Sequence, residues 1–377
     1  TLGECQDDDG KLMVLPTVEK MLRSMPVEEM CSYAPIGGIP GFNEAVQISL
    51  FGHVSERFHV ESVPTPGGCG ALRHAIWNFL DNGDSMLTTD WIWGPYRNIC
   101  EEHGRFLKDF PMFNDQDGFN VEGMEDGLRE LLEKQKQVLL LLNTPANNPT
   151  GYSMTKEEMD KVVDVLKKLA AEYPDRRLTF CLDVSYIDFD GTFEETRSIF
   201  DSIHDMPENM MTLVVFSMSK SYTMCGMRCG AIVCLAETKE AADLFKAAMS
   251  YSSRSVWSNV VRIAQRILVD INLNPEVKAE VDKERLVFSE LITKRGQTFY
   301  GEAQRVGLKC CPYKHGYFIA IPCKNPAKVA AYLEEEHVYV VPQKKGLRFS
   351  PCAVTTDKCL RAPAIIKKAV DRVEAEA

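Results

Sequence analysis

The run Ser217-Met218-Ser219-Lys220, with Gly226-Met227-Arg228-Cys229-Gly230 shortly after it, holds the densest chemistry in this sequence. An amine such as that of Lys220 forms a Schiff base with a carbonyl only when unprotonated, and a partly desolvated pocket lined by other cations favours that form. Serine hydroxyls and the planar fork of an arginine suit a phosphate, so Ser217, Ser219 and Arg228 are candidate anion ligands. A lone lysine after a strand is usually a solvated surface group. Here the hydroxyls before it and the glycine-flanked arginine after it point to a covalent cofactor site.

Other candidates follow from residue type and place. Asp183 ends the apolar run 178–182, and a carboxylate at the carboxyl end of a buried parallel strand is where α/β folds put ligand-contacting groups; a helix cap is the alternative. Tyr186 stands just beyond it. Gly67, Gly68 and Cys69 lead into a helical pattern over 71–80, which would bring bare N–H groups and the positive helix end toward an anion. Glycine-rich turns also start helices for packing alone. Asn148 lies in Asn147-Asn148-Pro149-Thr150-Gly151, and Trp93 in the loop after Asp90, where an indole either lids the core or offers a stacking surface. Tyr33 precedes the Pro- and Gly-rich turn 35–41. Arg348 sits on a strand-like segment near the C-terminus, able to clamp a carboxylate by two parallel hydrogen bonds. Arg254 is either a second substrate cation or a surface arginine.

These residues need elements to carry them. The apolar runs 138–142, 178–182 and 212–216 predict parallel strands covered on both faces. Thr155 with Glu158 predicts a capping box opening a helix over 155–171. Helices are also expected over 17–25, 237–249 and 274–305, with 251–259 a polar and aromatic segment after the helix. Segments 316–321 and 338–341 predict strands of a smaller α/β lobe. A chain of 377 residues suggests two domains. Its net charge of -11 argues against nucleic acid or an anionic membrane as partner and leaves a small-molecule substrate. The thirteen cysteines show no repeated C-x-x-C and no Cys/His cluster, so no metal is expected and the thiols are read as reduced. With neither a signal-peptide-like start nor an apolar run of bilayer length, the expected compartment is the cytoplasm.

Taken in order, these motifs resemble those of the fold-type I pyridoxal-phosphate aminotransferases, class I, of the aspartate/aromatic aminotransferase family: Y-x-x-I-x-G-x-P at Tyr33, P-G-G at Gly67, W-G at Trp93, N-P-T-G at Asn148, D-x-x-Y at Asp183, S-x-S-K at Lys220 and G-x-R-x-G at Arg228. The resemblance implies a large domain with a mostly parallel seven-stranded sheet flanked by helices (residues 13–285), a smaller α/β domain from residues 1–12 and 286–377, and a homodimer with shared active sites. It implies that Lys220 holds pyridoxal 5'-phosphate, Asp183 faces the ring nitrogen, Asn148 and Tyr186 the ring oxygen, and Trp93 the ring face. Gly67, Gly68, Cys69, Ser217, Ser219 and Arg228 would take the phosphate, joined by Tyr33 from the partner subunit. Arg348 would bind the substrate α-carboxylate, beside Trp93 and Asn148, and Arg254, from the partner subunit, a distal carboxylate. Val260 stands where the family usually has proline, Cys69 replaces its usual threonine or serine, and Tyr96 its frequent histidine. The implied activity is amino transfer between an L-amino acid, aspartate or glutamate, and a 2-oxo acid. An aromatic or broad-range aminotransferase, a C-S lyase or decarboxylase, and a non-catalytic regulatory module are the rivals.

Overall fold

Strand by strand, the apolar runs divide their side chains between two faces. In β4 (Gln137–Asn143), Leu139 and Leu141 join one buried cluster while Val138, Leu140 and Leu142 join another, the period-2 alternation of a strand buried on both sides. Replacing any of these leucines by alanine would cost about 2–5 kcal/mol. The computed structural model, which describes residues 3–376, extends this plan into a seven-stranded sheet. The other members are β1 (His59–Thr65), β2 (Ser85–Thr89), β3 (Phe106–Phe110), β5 (Arg177–Asp183), β6 (Met210–Ser217) and β7 (Gly230–Ala236), in spatial order β1-β7-β6-β5-β4-β2-β3. Strands β3, β2, β4, β5 and β6 run parallel, and β7 runs antiparallel to both neighbours. Chain order reverses between β2 and β4. That reversal opens a crevice at the carboxyl ends of the strands, where such sheets bind ligands.

A second sheet of β8 (Ile319–Pro322), β9 (Val341–Gln343) and β10 (Gly346–Phe349) is wholly antiparallel with β10 in the middle. It packs with the helices Pro275–Arg305, Pro326–Glu335 and Thr356–Ala375 around Phe299, Ile319, Leu333, Leu347 and Ile366. The capping box at Thr155 and Glu158 is present and opens the helix Lys156–Glu172. No helix among the described residues is long and apolar enough to cross a membrane.

Two local expectations shift. The strand expected over 338–341 begins only at Val341, because Val338 N–H is still bonded to Leu333 O at 2.8 Å in the turn that leaves the helix Pro326–Glu335. The helix expected over 237–249 runs as Lys239–Val256 and so takes in Arg254. Its buried face ends in Ser252 and Ser253, not apolar residues, and Ser253 Oγ meets His74 Nε2 at 2.9 Å. Hydroxyls on a buried stripe hide the helical period.

Candidate active site

Three neighbouring parallel strands end in polar residues, Asn143 on β4, Asp183 on β5 and Ser217 on β6. All three line a cavity of about 320 Å³, together with Gly68, Cys69, Trp93, Asn148, Tyr186, Ser219, Lys220, Arg228 and Arg348. Residues spread over most of the sequence therefore meet at one place, as the motif reading required.

Asp183 is buried and richly bonded. Tyr96 OH donates to its Oδ2 at 2.6 Å, and Ser185 Oγ and N–H donate to its Oδ1 at 2.6 and 3.1 Å. Burial pushes its pKa above the ordinary value, and the Ser185 and Tyr96 hydrogen bonds oppose that rise. Among the described residues no cation pairs with it. Beside it Asn148 Nδ2 donates to Tyr186 OH at 3.2 Å, while Asn148 N–H is pinned by Asn143 Oδ1 at 2.7 Å. Burial raises the Tyr186 pKa, which keeps its phenol neutral at physiological pH.

Lys220 lies in the short turn of helix Met218–Ser221 that follows β6, with Ser217 as its cap. Its Nζ donates to Gly3 O, lies 3.5 Å from Cys225 Sγ and stands 5.7 Å from the Tyr317 ring centre. At the opposite end of the cavity the helix Gly67–Phe79 points its N-terminus inward. Glycine is needed here twice over: Gly67 has φ +66°, and a Cβ on it would come within 2.6 Å of Arg228 Nη2. Gly230 lets β7 approach equally closely, since its Cβ would meet Gly67 C at 2.9 Å. Arg228, with its backbone in the left-handed region (φ 51°), donates from Nη1 to Cys225 O at 2.6 Å and to Ser219 Oγ at 3.4 Å.

Arg348 projects from β10 into the same cavity, donates to Asn148 Oδ1 at 3.2 Å and lies 4.3 Å from the Phe318 ring centre. Burial lowers its pKa, a penalty that an incoming carboxylate would offset. Trp93 meets Tyr96 edge-on at 5.6 Å and lines the cavity.

Tyr33 and Arg254 do not line this chain's cavity. Tyr33 is 86% exposed, and Arg254, also exposed, donates to Ser258 Oγ at 2.6 Å. They belong to one tethered patch: Asn259 Nδ2 donates to Ala34 O at 2.5 Å and Arg262 Nη1 to Tyr33 O at 3.3 Å. Sequence reasoning missed Ser185, Asn143 and Gly3 as cavity residues. Only Ser185 carried a signal, a hydroxyl two residues after a strand-ending aspartate.

With the geometry established, similarity can be weighed. The model of the family described as aminotransferase class I and II matches residues 1–366. The chain belongs to that family. It is therefore a pyridoxal-phosphate-dependent aminotransferase with an amino acid and a 2-oxo acid as substrates. A solved aminotransferase of Anaerococcus prevotii is 35% identical, with a TM-score of 0.95 over 98% of this chain and 90% of that one. The mitochondrial aspartate aminotransferase of Schizosaccharomyces pombe is 26% identical over 90% of this chain and 77% of its own length. A tyrosine aminotransferase of Klebsiella pneumoniae is 27% identical over 76% of this chain and 72% of its length.

The residues present fit the cofactor. A buried carboxyl with no cation beside it suits a protonated ring nitrogen. The glycine cradle facing Arg228 leaves space that any Cβ would fill.

Proposed function

We propose that the chain transfers the amino group of a dicarboxylic amino acid, aspartate or glutamate, to a 2-oxo acid, with Lys220 as the catalytic base. The observation that carries this reading is the convergence of Lys220, Asp183, Asn148, Tyr186 and Arg348 on one cavity. When bound, pyridoxal phosphate supplies a carbonyl for the amino group and an electron-withdrawing ring. Asp183, kept ionised by that ring's cationic nitrogen, would hold the proton there, with Tyr96 and Ser185 fixing the carboxylate. Asn148 and Tyr186, bonded to each other at 3.2 Å, would hold the ring oxygen. Gly67, Gly68, Cys69, Ser217, Ser219 and Arg228 would take the phosphate, and Trp93 would cover the ring face. Arg348 would orient the substrate through its α-carboxylate, so that Lys220 Nζ could take up the α-proton and hold it for return.

The chain is read as a homodimer in which Tyr33 and Arg254 complete the neighbour's cavity. Their exposure on one tethered patch, away from their own cavity, supports this. Arg254 would then pair with a distal carboxylate. Residues 13–285 are assigned to the cofactor domain, and 1–12 with 286–377 to the second. All thirteen cysteines are free, which supports a reducing compartment such as the cytoplasm. An aromatic or broad-range donor is the second reading, favoured by Phe318 in the cavity and by the tyrosine-acting relative.

Single-turnover absorbance separates the two. Aspartate, glutamate, tyrosine and alanine are added in turn while the cofactor's visible band is followed, with Lys220→Ala as the blank. Fastest bleaching by aspartate and glutamate, with the preference lost in Arg254→Ala, supports the first reading. Fastest bleaching by tyrosine, or no effect of Arg254→Ala, replaces it with the second.

A further inference from the structure

Two seams join the lobe of the seven-stranded sheet to that of the three-stranded sheet. On the first, backbone meets backbone. The N–H groups of Lys314 and His315 donate to Gly151 O at 2.9 and 3.2 Å. A Cβ on Gly151 would come within 2.3 Å of the Tyr313 ring, and one on Gly316 within 2.7 Å of Ala146 Cβ.

The second seam, beside Arg348, is made of charge. The β9–β10 hairpin turns at Lys344-Lys345, Lys345 Nζ donates to Asp90 Oδ2, and Lys344 Nζ lies 3.5 Å from Asp109. Asp90 is a fixed anchor, 11% exposed at its side chain. Its N–H donates to Phe110 O at 2.8 Å and its Oδ1 accepts from Met112 N–H at 3.0 Å. The hairpin is stiff as well: a Cβ on Gly346 would meet Ile321 O at 2.1 Å, so β10 lies tight against β8. Between anchor and hairpin runs a cleft of about 470 Å³ whose lining includes Asp90, Trp93, Lys345 and Arg348.

Position along the chain gives the pair its leverage. Lys345 precedes Arg348 by three residues, and Asp90 precedes Trp93 by three. All four residues line the one cleft, so the Lys345–Asp90 pair ties the strand end that carries Arg348 to the loop that carries Trp93. We propose that Lys345 is a positioning residue: its ion pair with Asp90 presents Arg348 to the substrate carboxylate. The inference rests on the reading of Arg348 given above. A half-exposed lysine pair adds little to overall stability, so its loss should be felt in substrate placement and not in folding.

The test is steady-state kinetics on the holoenzyme with aspartate or tyrosine as donor, whichever the wild type consumes, and 2-oxoglutarate as acceptor. Lys345→Met keeps the stem and removes the charge. It should raise the donor KM about three- to fivefold with kcat within about twofold and an unchanged pyridoxal phosphate Kd. Lys345→Arg should restore KM. Raising NaCl should raise KM more steeply in the wild type than in Lys345→Met. A Lys345→Met KM within about twofold of wild type, beside a raised KM in Arg348→Lys, overturns the proposal and leaves the Arg348 reading standing. If Arg348→Lys also leaves KM unchanged, the reading of Arg348 fails and the proposal falls with it. Should Lys345→Met fail to fold, Asp90→Asn decides, a KM within about twofold of wild type being the overturning result.

Discussion

At the Asp183 end of the cavity the polar groups are buried and bonded to one another, whereas at the Arg228 end the arginine and Cys69 are exposed. Asp183, Tyr96, Ser185, Asn148, Tyr186 and Asn143 form a connected network in which the two shortest hydrogen bonds to the carboxylate measure 2.6 Å. Arg228 is exposed, its bond to Ser219 is 3.4 Å long, and Cys69 beside it is exposed too. A closed network in a low-dielectric site is preorganised and costly to disturb. An open cluster at a helix N-terminus relies on backbone N–H groups and on the arriving anion to order its side chains. The first end should therefore govern rate, and the second should govern cofactor retention.

The sharpest way to break that contrast is Asp183→Asn. The amide fills the same volume, its oxygen can keep the bonds from Ser185 and its NH2 can donate to Tyr96 OH, but it cannot carry a charge opposite the ring nitrogen. We expect kcat to fall on the order of 10³-fold, with no loss of thermal stability in the cofactor-free protein, because a neutral amide is cheaper to bury than a carboxylate. A kcat within about tenfold of wild type would falsify the assignment of Asp183.

Tyr96→Phe tests the same end more gently. Losing this donor while the carboxylate stays buried costs about 1–3 kcal/mol and should lower kcat about tenfold. It also has a pH signature in the cofactor-free protein. The Asp183 pKa is raised by burial above the ordinary 3.8, so the native state binds the proton more tightly than the unfolded chain does. The stability this group contributes is fully present below its unfolded pKa and is lost as pH rises through the folded one. Removing the Tyr96 hydrogen bond raises the folded pKa further, so in the variant the loss begins at the same unfolded pKa, continues to higher pH and is larger. Urea denaturation across the acid to neutral range reads this directly; curves of identical shape for the two proteins would sink the idea.

How legible each end was in the sequence follows from the range of its contacts. Asp183 and Lys220 could be found because one ends an apolar strand and the other comes just after one, whereas Asn148, in the loop beyond β4, was found by the resemblance of its N-P-T-G string. The glycines before Leu72 were visible as a helix start. The network around Asp183 was not, since Tyr96 reaches it across 87 positions and nothing local to Tyr96 announces the partner. The approach of Gly3 to Lys220 spans 217 positions and was equally hidden. The sheet's parallel core was readable from continuous apolar runs. The all-antiparallel order of the small sheet was not, because its strands are only three or four residues long and its pairing is set by the hairpin at Lys344-Lys345. Tyr33 and Arg254 were singled out by resemblance, and in one chain they are exposed residues that touch no other candidate.

The smallest expected effect sits at the open end. Cys69 lies in the first turn of the helix Gly67–Phe79 and lines the cavity. Burial raises its thiol pKa, with Arg228 pulling the other way, so the group there is a neutral thiol and a weak donor. Cys69→Thr puts a hydroxyl in its place without touching the backbone N–H groups that do most of the binding. One added hydrogen bond to a charged acceptor contributes about 1.5 kcal/mol at most after the rotamer cost of a β-branched residue in a helix. The dissociation constant for pyridoxal phosphate, measured by equilibrium dialysis of the cofactor-free protein, should fall between about threefold and tenfold. Cys69→Val, of the same shape without the hydroxyl, should not tighten binding. If the valine variant tightens it as much as the threonine one, the gain comes from shape, and the thiol was not a missing donor. If neither variant changes the constant, the backbone and Arg228 already saturate the phosphate, and the open end is less dependent on its side chains than its exposure suggests.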